Sequence, residues 1–259
     1  MTEPRRSAAD NAKREKLILA GLFLSKFDSR ALASLGFETF AEAFNVIGYG
    51  LGARPASVKN YRDEFDPLFP NSRAGWHKRP LRTYCREVYE AYRRLDFEAL
   101  KNLVKSFFDE GRPIPRDEVD DEETIADSGS VFAQRLITGQ AAERYFESVY
   151  LNIPEFCGRA LENTTKLGCG YDFCLRVESQ PRDYFAIEVK GLTEATGSIS
   201  MTVKEFSVAE RLKGRFFLFV VKNFKEKPSH SFFRDPISCG LEFRKIERTI
   251  VQVSWSTKI

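Results

Sequence analysis

The segment Phe185-Ala-Ile-Glu-Val-Lys190 sets a carboxylate and an ammonium group two residues apart. In an extended strand that spacing sends Glu188 and Lys190 to one face, while Phe185, Ile187 and Val189 point to the other. Asp172, preceded by Gly170-Tyr171, falls on the neighbouring strand, where hairpin pairing carries its carboxylate toward Glu188. Two carboxylates with the Val189 carbonyl beside them form a hard oxygen site suited to Mg²⁺, or Mn²⁺ in its place, with waters and phosphate completing the shell. Such an ion lowers the pKa of a bound water. Lys190 adds positive charge where a phosphorane would develop, and together these are the requirements for hydrolysing a phosphodiester.

The elements that must position these groups follow from the apolar pattern. A helix is predicted over about Val131 to Tyr150, then strands at about Cys169 to Val177 and Asp183 to Lys190, with Glu178 to Arg182 as the turn of an antiparallel hairpin. Thr202 to Lys213 reads as a helix, opened by Thr202-x-x-Glu205 as a capping box and stopped by Gly214. The run Arg215-Phe-Phe-Leu-Phe-Val-Val221 is apolar throughout and suits a strand buried on both faces, as in parallel sheets. The expected order is α-β-β-α-β around a mixed central sheet, an α+β or α/β architecture.

With that order in place, Asp172, fifteen intervening residues and Glu188-x-Lys190 resemble the signature of PD-(D/E)XK nucleases, which share a restriction-endonuclease-like core. More narrowly, Gly139-Gln-Ala-Ala-Glu143, Gly170-Tyr-Asp172, Ile187-Glu-Val-Lys-Gly191 and Thr202-Val-Lys-Glu205 resemble the nuclease-like domain that ends the plant protein NO VEIN and many bacterial defence proteins. The resemblance implies Asp172 and Glu188 as metal ligands and Lys190 as the catalytic lysine. It implies Glu143, on the opening helix, as an acidic residue orienting water or metal. The family's Pro-Asp is Tyr171-Asp172 here, at a position the family varies. Glu205 matches the narrower group, as a capping-box residue or as part of the site, and Lys204 beside it is placed to reach phosphate.

Composition narrows the alternatives. The chain has 259 residues, a formal charge of +3, five cysteines without a Cys-x-x-Cys pair, and two histidines, His77 and His230. So few histidines exclude Ser-His-Asp hydrolysis, His-rich zinc sites and His-Asn-His nucleases. The unpaired cysteine pattern fits reduced thiols. No apolar run is long enough to span a bilayer and the start is charged, so the expectation is a cytoplasmic protein with no membrane association.

Residues 1–110 carry apolar residues at helical spacing, punctuated by Pro55, Pro67, Pro70 and Pro80, and are expected to form a mostly α-helical domain. Residues 111–129, with the acidic block Asp117 to Glu123, read as a linker; a solvated helix face and an acidic shield over a basic surface are the alternatives. Residues 130–259 would be the nuclease domain. Around Gly52 to Tyr61 the pattern is helix, turn, helix, and a second helix set in a major groove would present Ser57, Lys59, Asn60 and Arg62. Further on, Arg73, Lys78, Arg79 and Arg82 interleave with Trp76, a composition suited to backbone phosphates, or to a solubilised helical domain in which Trp76 anchors the loop.

The expectation is a Mg²⁺-dependent endodeoxyribonuclease of restriction type, acting on double-stranded DNA as a homodimer, with a methyltransferase as a possible companion. A catalytically silent DNA-binding scaffold and a repair or RNA-processing nuclease are the alternatives. No Gly-x-x-x-x-Gly-Lys-Ser/Thr segment exists to drive translocation.

Overall fold

The computed structural model describes residues 7–73, 75, 79–108, 128–247 and 257. Trp76, Lys78 and all but the last two residues of the expected linker lie outside them.

The first half is helical, as its periodicity requires. Helix α1 (Ala8–Ser34) opens on the Ser7 cap and is interrupted at Asp28, whose φ is 49°. Helix α2 (Phe40–Gly50) is capped by Thr39, and α3 (Pro55–Phe65) begins on Pro55, whose fixed φ suits a first helical position. Helices α4 (Thr83–Tyr92) and α5 (Phe97–Ser106) complete this half. Residues Leu17 to Ser25 of α1 are buried on every side, because α3 and α5 both pack against it.

Helix α6 (Ser128–Val149) leads into the sheet half. Strands β1 (Ala160–Asn163), β2 (Phe173–Val177) and β3 (Gln180–Gly191) are followed by helix α7 (Val203–Leu212) and strands β4 (Phe216–Lys222) and β5 (Ser229–Arg234). The sheet runs in sequence order, β1 to β5, with β3 and β4 parallel and every other pair antiparallel. It is therefore mixed, as expected. The βαβ unit β3-α7-β4 supplies the parallel pair, and β4 is buried on both faces except at Lys222.

The two faces of β3 meet different layers. Ile187 and Val189 join Phe173, Phe217 and Phe219 in the core under α6, where Phe146 sits with ring centroids 5.1 Å from Phe173 and 4.9 Å from Phe219. Ala186 faces the other way and packs with Phe216 against Val208, Ala209 and Leu212 of α7. The α6-side cluster also takes in Leu22, Ile47 and Phe108 of the helical half, where α2 packs along α6. Asn45 of α2 donates through Nδ2 to the carbonyls of Phe224 (2.8 Å) and Glu226 (3.0 Å) in the β4-β5 loop.

Details differ from the sequence reading: the strand expected from about Cys169 begins at Phe173, which leaves Asp172 in the loop before it instead of on the strand. The hairpin is tighter, since β3 begins at Gln180 rather than Asp183. The left-handed reversal after α7 falls on Lys213 (φ 50°) instead of Gly214, whose carbonyl accepts from Arg234 Nε at 2.7 Å. Strands β1 and β5 flank the predicted set as the two edges of the sheet, where half-exposed sequences such as Ala-Leu-Glu-Asn lack the alternation that marks a strand packed on a core.

Candidate active site

Glu188 and Lys190 project from the α7 face of β3, near its C-terminal end, as their spacing requires. Asp172 reaches them by leaving the ladder. The last regular pair of β2 with β3 is Phe173 with Ile187. Beyond it, the Asp172 amide donates to the Ile187 carbonyl (3.0 Å), and its carboxylate Oδ2 accepts from the Val189 amide (2.9 Å). A side-chain oxygen thus satisfies a strand N–H where β2 has ended, fixing the carboxylate at the rim of the sheet.

Two glycines allow the surrounding elements to close on this point. A side chain at Gly170 (φ 90°) would come within 2.9 Å of Val208 Cγ2, so the loop that delivers Asp172 lies flush against α7. A side chain at Gly191 would meet the Thr138 carbonyl at 3.0 Å and Ala142 Cβ at 3.2 Å, so α6 lies equally close to the end of β3. That approach sets Glu143, buried, near Asp172.

Lys190 holds the other side together. Its Nζ lies 2.8 Å from Glu188 Oε1 and donates to Glu205 Oε2 at 2.8 Å. Glu205 belongs to the capping box of α7, where the same Oε2 accepts from the Thr202 amide (3.1 Å) and Thr202 Oγ1 accepts from the Glu205 amide (3.3 Å). Glu205 thus caps α7, as one of its two readings had it, and also contacts Lys190. A Thr-x-x-Glu start on the helix after a Glu-x-Lys strand is the signal that links the two roles.

The electrostatics of the cluster are those of crowded acids. Burial raises the Asp172 carboxyl to about 7, with the nearby Glu143 charge adding to it against the Val189 hydrogen bond and the Lys190 charge. Burial also pushes Glu188 well above the ordinary carboxylate range, and the charge of Asp172 pushes it further. Asp172 and Glu188 therefore share one site rather than facing apart. Burial works against the charge of Lys190, but Glu188 and Glu205 outweigh it and hold the ammonium above its ordinary value.

Among the described residues, no group of three or more His, Cys, Asp and Glu side chains is arranged to hold a metal ion. What the site offers is the pair Asp172 and Glu188, with the backbone of Val189 beside them on β3. An ion held by two carboxylates, with water and phosphate in its remaining positions, is the ordinary manner of Mg²⁺. Two buried carboxylates in one site, both displaced upward, also make a strong case for a cation, because a divalent charge offsets the cost of ionising them there. The residues present fit the group.

The basic residues assigned to DNA in the helical half are placed differently from expectation. Arg62 is buried between the rings of Phe40 and Phe44 and pairs with Asp63 and Asp66, so it does not project from α3 toward a groove. Arg73 grips both oxygens of Asp66 at 2.8 Å and reaches Asp28 at 2.7 Å. Arg79 and Arg82 both bind Glu64. On α3 itself, Lys59 and Asn60 are exposed and Ser57 is half-buried, with Lys59 3.5 Å from Asp63. The aromatic and acidic neighbours that claim these arginines are distant in three of the four cases, so local composition could not reveal them.

No helix among the described residues is long and apolar enough to cross a membrane. Neither the curated proteins nor the solved structures contain a match to this chain. A family model described as the C-terminal part of Protein NO VEIN matches residues 142–233, a stretch that holds Glu143, Asp172, Glu188, Lys190 and Glu205. From α6 to β5, then, this chain is similar to the C-terminal domain of Protein NO VEIN.

Proposed function

We propose that the cluster around Asp172 is the catalyst of a Mg²⁺-dependent phosphodiesterase that cuts double-stranded DNA as a restriction-type endonuclease. The observation that carries this reading is the convergence of Asp172 and Glu188 beside a lysine anchored on two carboxylates at the rim of a sheet. Asp172 and Glu188 would hold the ion. When bound there, Mg²⁺ supplies positive charge to the scissile phosphate and acidity to a water.

The chain's own groups do the rest. The Val189 amide fixes one oxygen of Asp172, which leaves the other to face the site. Glu143 stands near enough to Asp172 to orient a water between helix and strand. Lys190, kept cationic by Glu188 and Glu205, supplies a charge-assisted hydrogen bond to a non-bridging phosphate oxygen as negative charge grows on it. Among the described residues there is one such cluster, so cutting both strands would call for two chains, which favours a homodimer on DNA.

Incubating the purified protein with plasmid and phage DNA, with and without Mg²⁺, tests the reading. Nicked or linear products that require the ion, and discrete fragments from phage DNA, are expected. DNA binding without any strand scission would favour a scaffold, and scission of RNA alone would move the substrate.

A further inference from the structure

A shallow cleft of about 790 Å³ runs along α7, lined by Cys169, Thr202, Lys204, Ser207, Val208 and Arg211 among others. Two of its lining residues neighbour the cluster around Asp172. Cys169 lies on the loop that delivers Asp172, and the Thr202 amide donates to the Glu205 oxygen that holds Lys190. Lys204, Ser207, Val208 and Arg211 form one stripe at helical spacing, in which Val208 is buried and the other three are exposed. Among the described residues, neither Lys204 nor Arg211 has a hydrogen-bond or ion-pair partner. Arg62, Arg73, Arg79 and Arg82 of the helical half are in the opposite situation, each held by acidic side chains.

We infer that this stripe is the seat of the nucleic-acid backbone next to the scissile phosphate, with Lys204 and Arg211 each taking a phosphate and Ser207 donating between them. The assignment rests on the nuclease reading for its neighbour but not for its chemistry. Two unneutralised cations and a hydroxyl on one helix face suit a polyanion. Seven residues at 1.5 Å separate Lys204 from Arg211 by about 10 Å along the axis, a span over which two long cationic side chains can each reach a different phosphate of one strand. The strand would then pass from Arg211 along α7 toward Lys190, entering the site from the C-terminal end of the helix.

Binding of a fluorescent DNA duplex to the full chain, in EDTA so that no scission accompanies it, gives the test. Wild type is compared with Lys204→Ala/Arg211→Ala over a range of salt. Loss of two phosphate contacts is expected to weaken binding by roughly 10-fold and to flatten the plot of log affinity against log salt by about 1.8. Both side chains are exposed and unpartnered, so the variant should fold, and circular dichroism checks this. An unchanged affinity and slope would overturn the assignment while leaving the catalyst untouched. A slope flattened by the double substitution, together with a wild-type protein that fails to cut DNA with Mg²⁺, would instead sustain the surface and remove the nuclease.

Discussion

The helical half and the sheet half each bury a cluster of charged side chains, and the two are balanced in opposite directions. Around α3, guanidinium groups match or outnumber carboxylates: Asp66 meets Arg62 and Arg73, and Glu64 meets Arg79 and Arg82. Burial would raise Asp66, but hydrogen bonds from Arg73 and Ser25 outweigh it and leave the carboxyl below its ordinary value. Around β3, the acids Asp172, Glu188, Glu143 and Glu205 surround one lysine, and Asp172 and Glu188 are displaced upward. The same residue types therefore make a settled ion-pair network in one place and an unsatisfied site in the other. Perturbed carboxylates gather where a protein binds or reacts, and the sign of the imbalance separates the two cases.

The largest effect should come from removing an acid on the unsatisfied side. Glu188→Ala is expected to lower DNA scission on the order of 10³-fold in a plasmid-nicking assay, with the melting temperature of the apo-protein unchanged or raised. An active, unaltered Glu188→Ala enzyme would break the comparison. On the settled side the outcome reverses: Asp66→Ala strands Arg62 and Arg73 without their buried partner and should cost about 3–5 kcal/mol in a denaturant titration, while scission per folded molecule holds.

Glu205→Gln sharpens the contrast within the site. Glutamine retains an oxygen for the Thr202 amide and Lys190 but removes a charge, so the helix should stay capped. A loss of about 10- to 100-fold in scission is expected, with weaker Mg²⁺ binding by calorimetry, because Lys190 would lean on Glu188 alone. A variant with wild-type metal affinity would reduce Glu205 to its capping role.

The smallest effect concerns pH. Asp172 moves from an ordinary 3.8 to about 7 on folding, so between these values the folded chain holds the extra proton. Stability from this group is thus present below the lower value and declines as pH rises through the window. Metal-free protein should melt a few degrees lower at about pH 8 than at about pH 5.5, with Mg²⁺ restoring stability chiefly at the higher pH. An Asp172→Asn variant that keeps the full difference would assign it elsewhere.

Much of the sheet half was legible because its signals are local. Glu188 and Lys190 share a strand, Thr202 and Glu205 share a helix turn, and the apolar run Phe216 to Val221 admits few environments. The edges β1 and β5 were not legible, since an edge strand owes its form to a neighbour rather than to its own pattern. Nor were the partners of Arg62 and Arg73. Phe40 and Asp28 come from other helices, so a loop that looks ready for phosphate is already engaged. The cations of α7, in contrast, are scattered at positions 204 and 211 and form no basic run, yet the helix brings them to one face.

One oxygen, Glu205 Oε2, accepts both the amide of Thr202, the residue that caps α7, and the Lys190 ammonium. Helix ends fray easily, and elsewhere that motion is inconsequential. Here each excursion of the opening turn would withdraw an anchor from the lysine, so the rigidity of a helix tip and the integrity of the Lys190 cluster rise and fall together. Amide hydrogen exchange at the tip of α7 would then report, without any substrate, how often the centre is assembled.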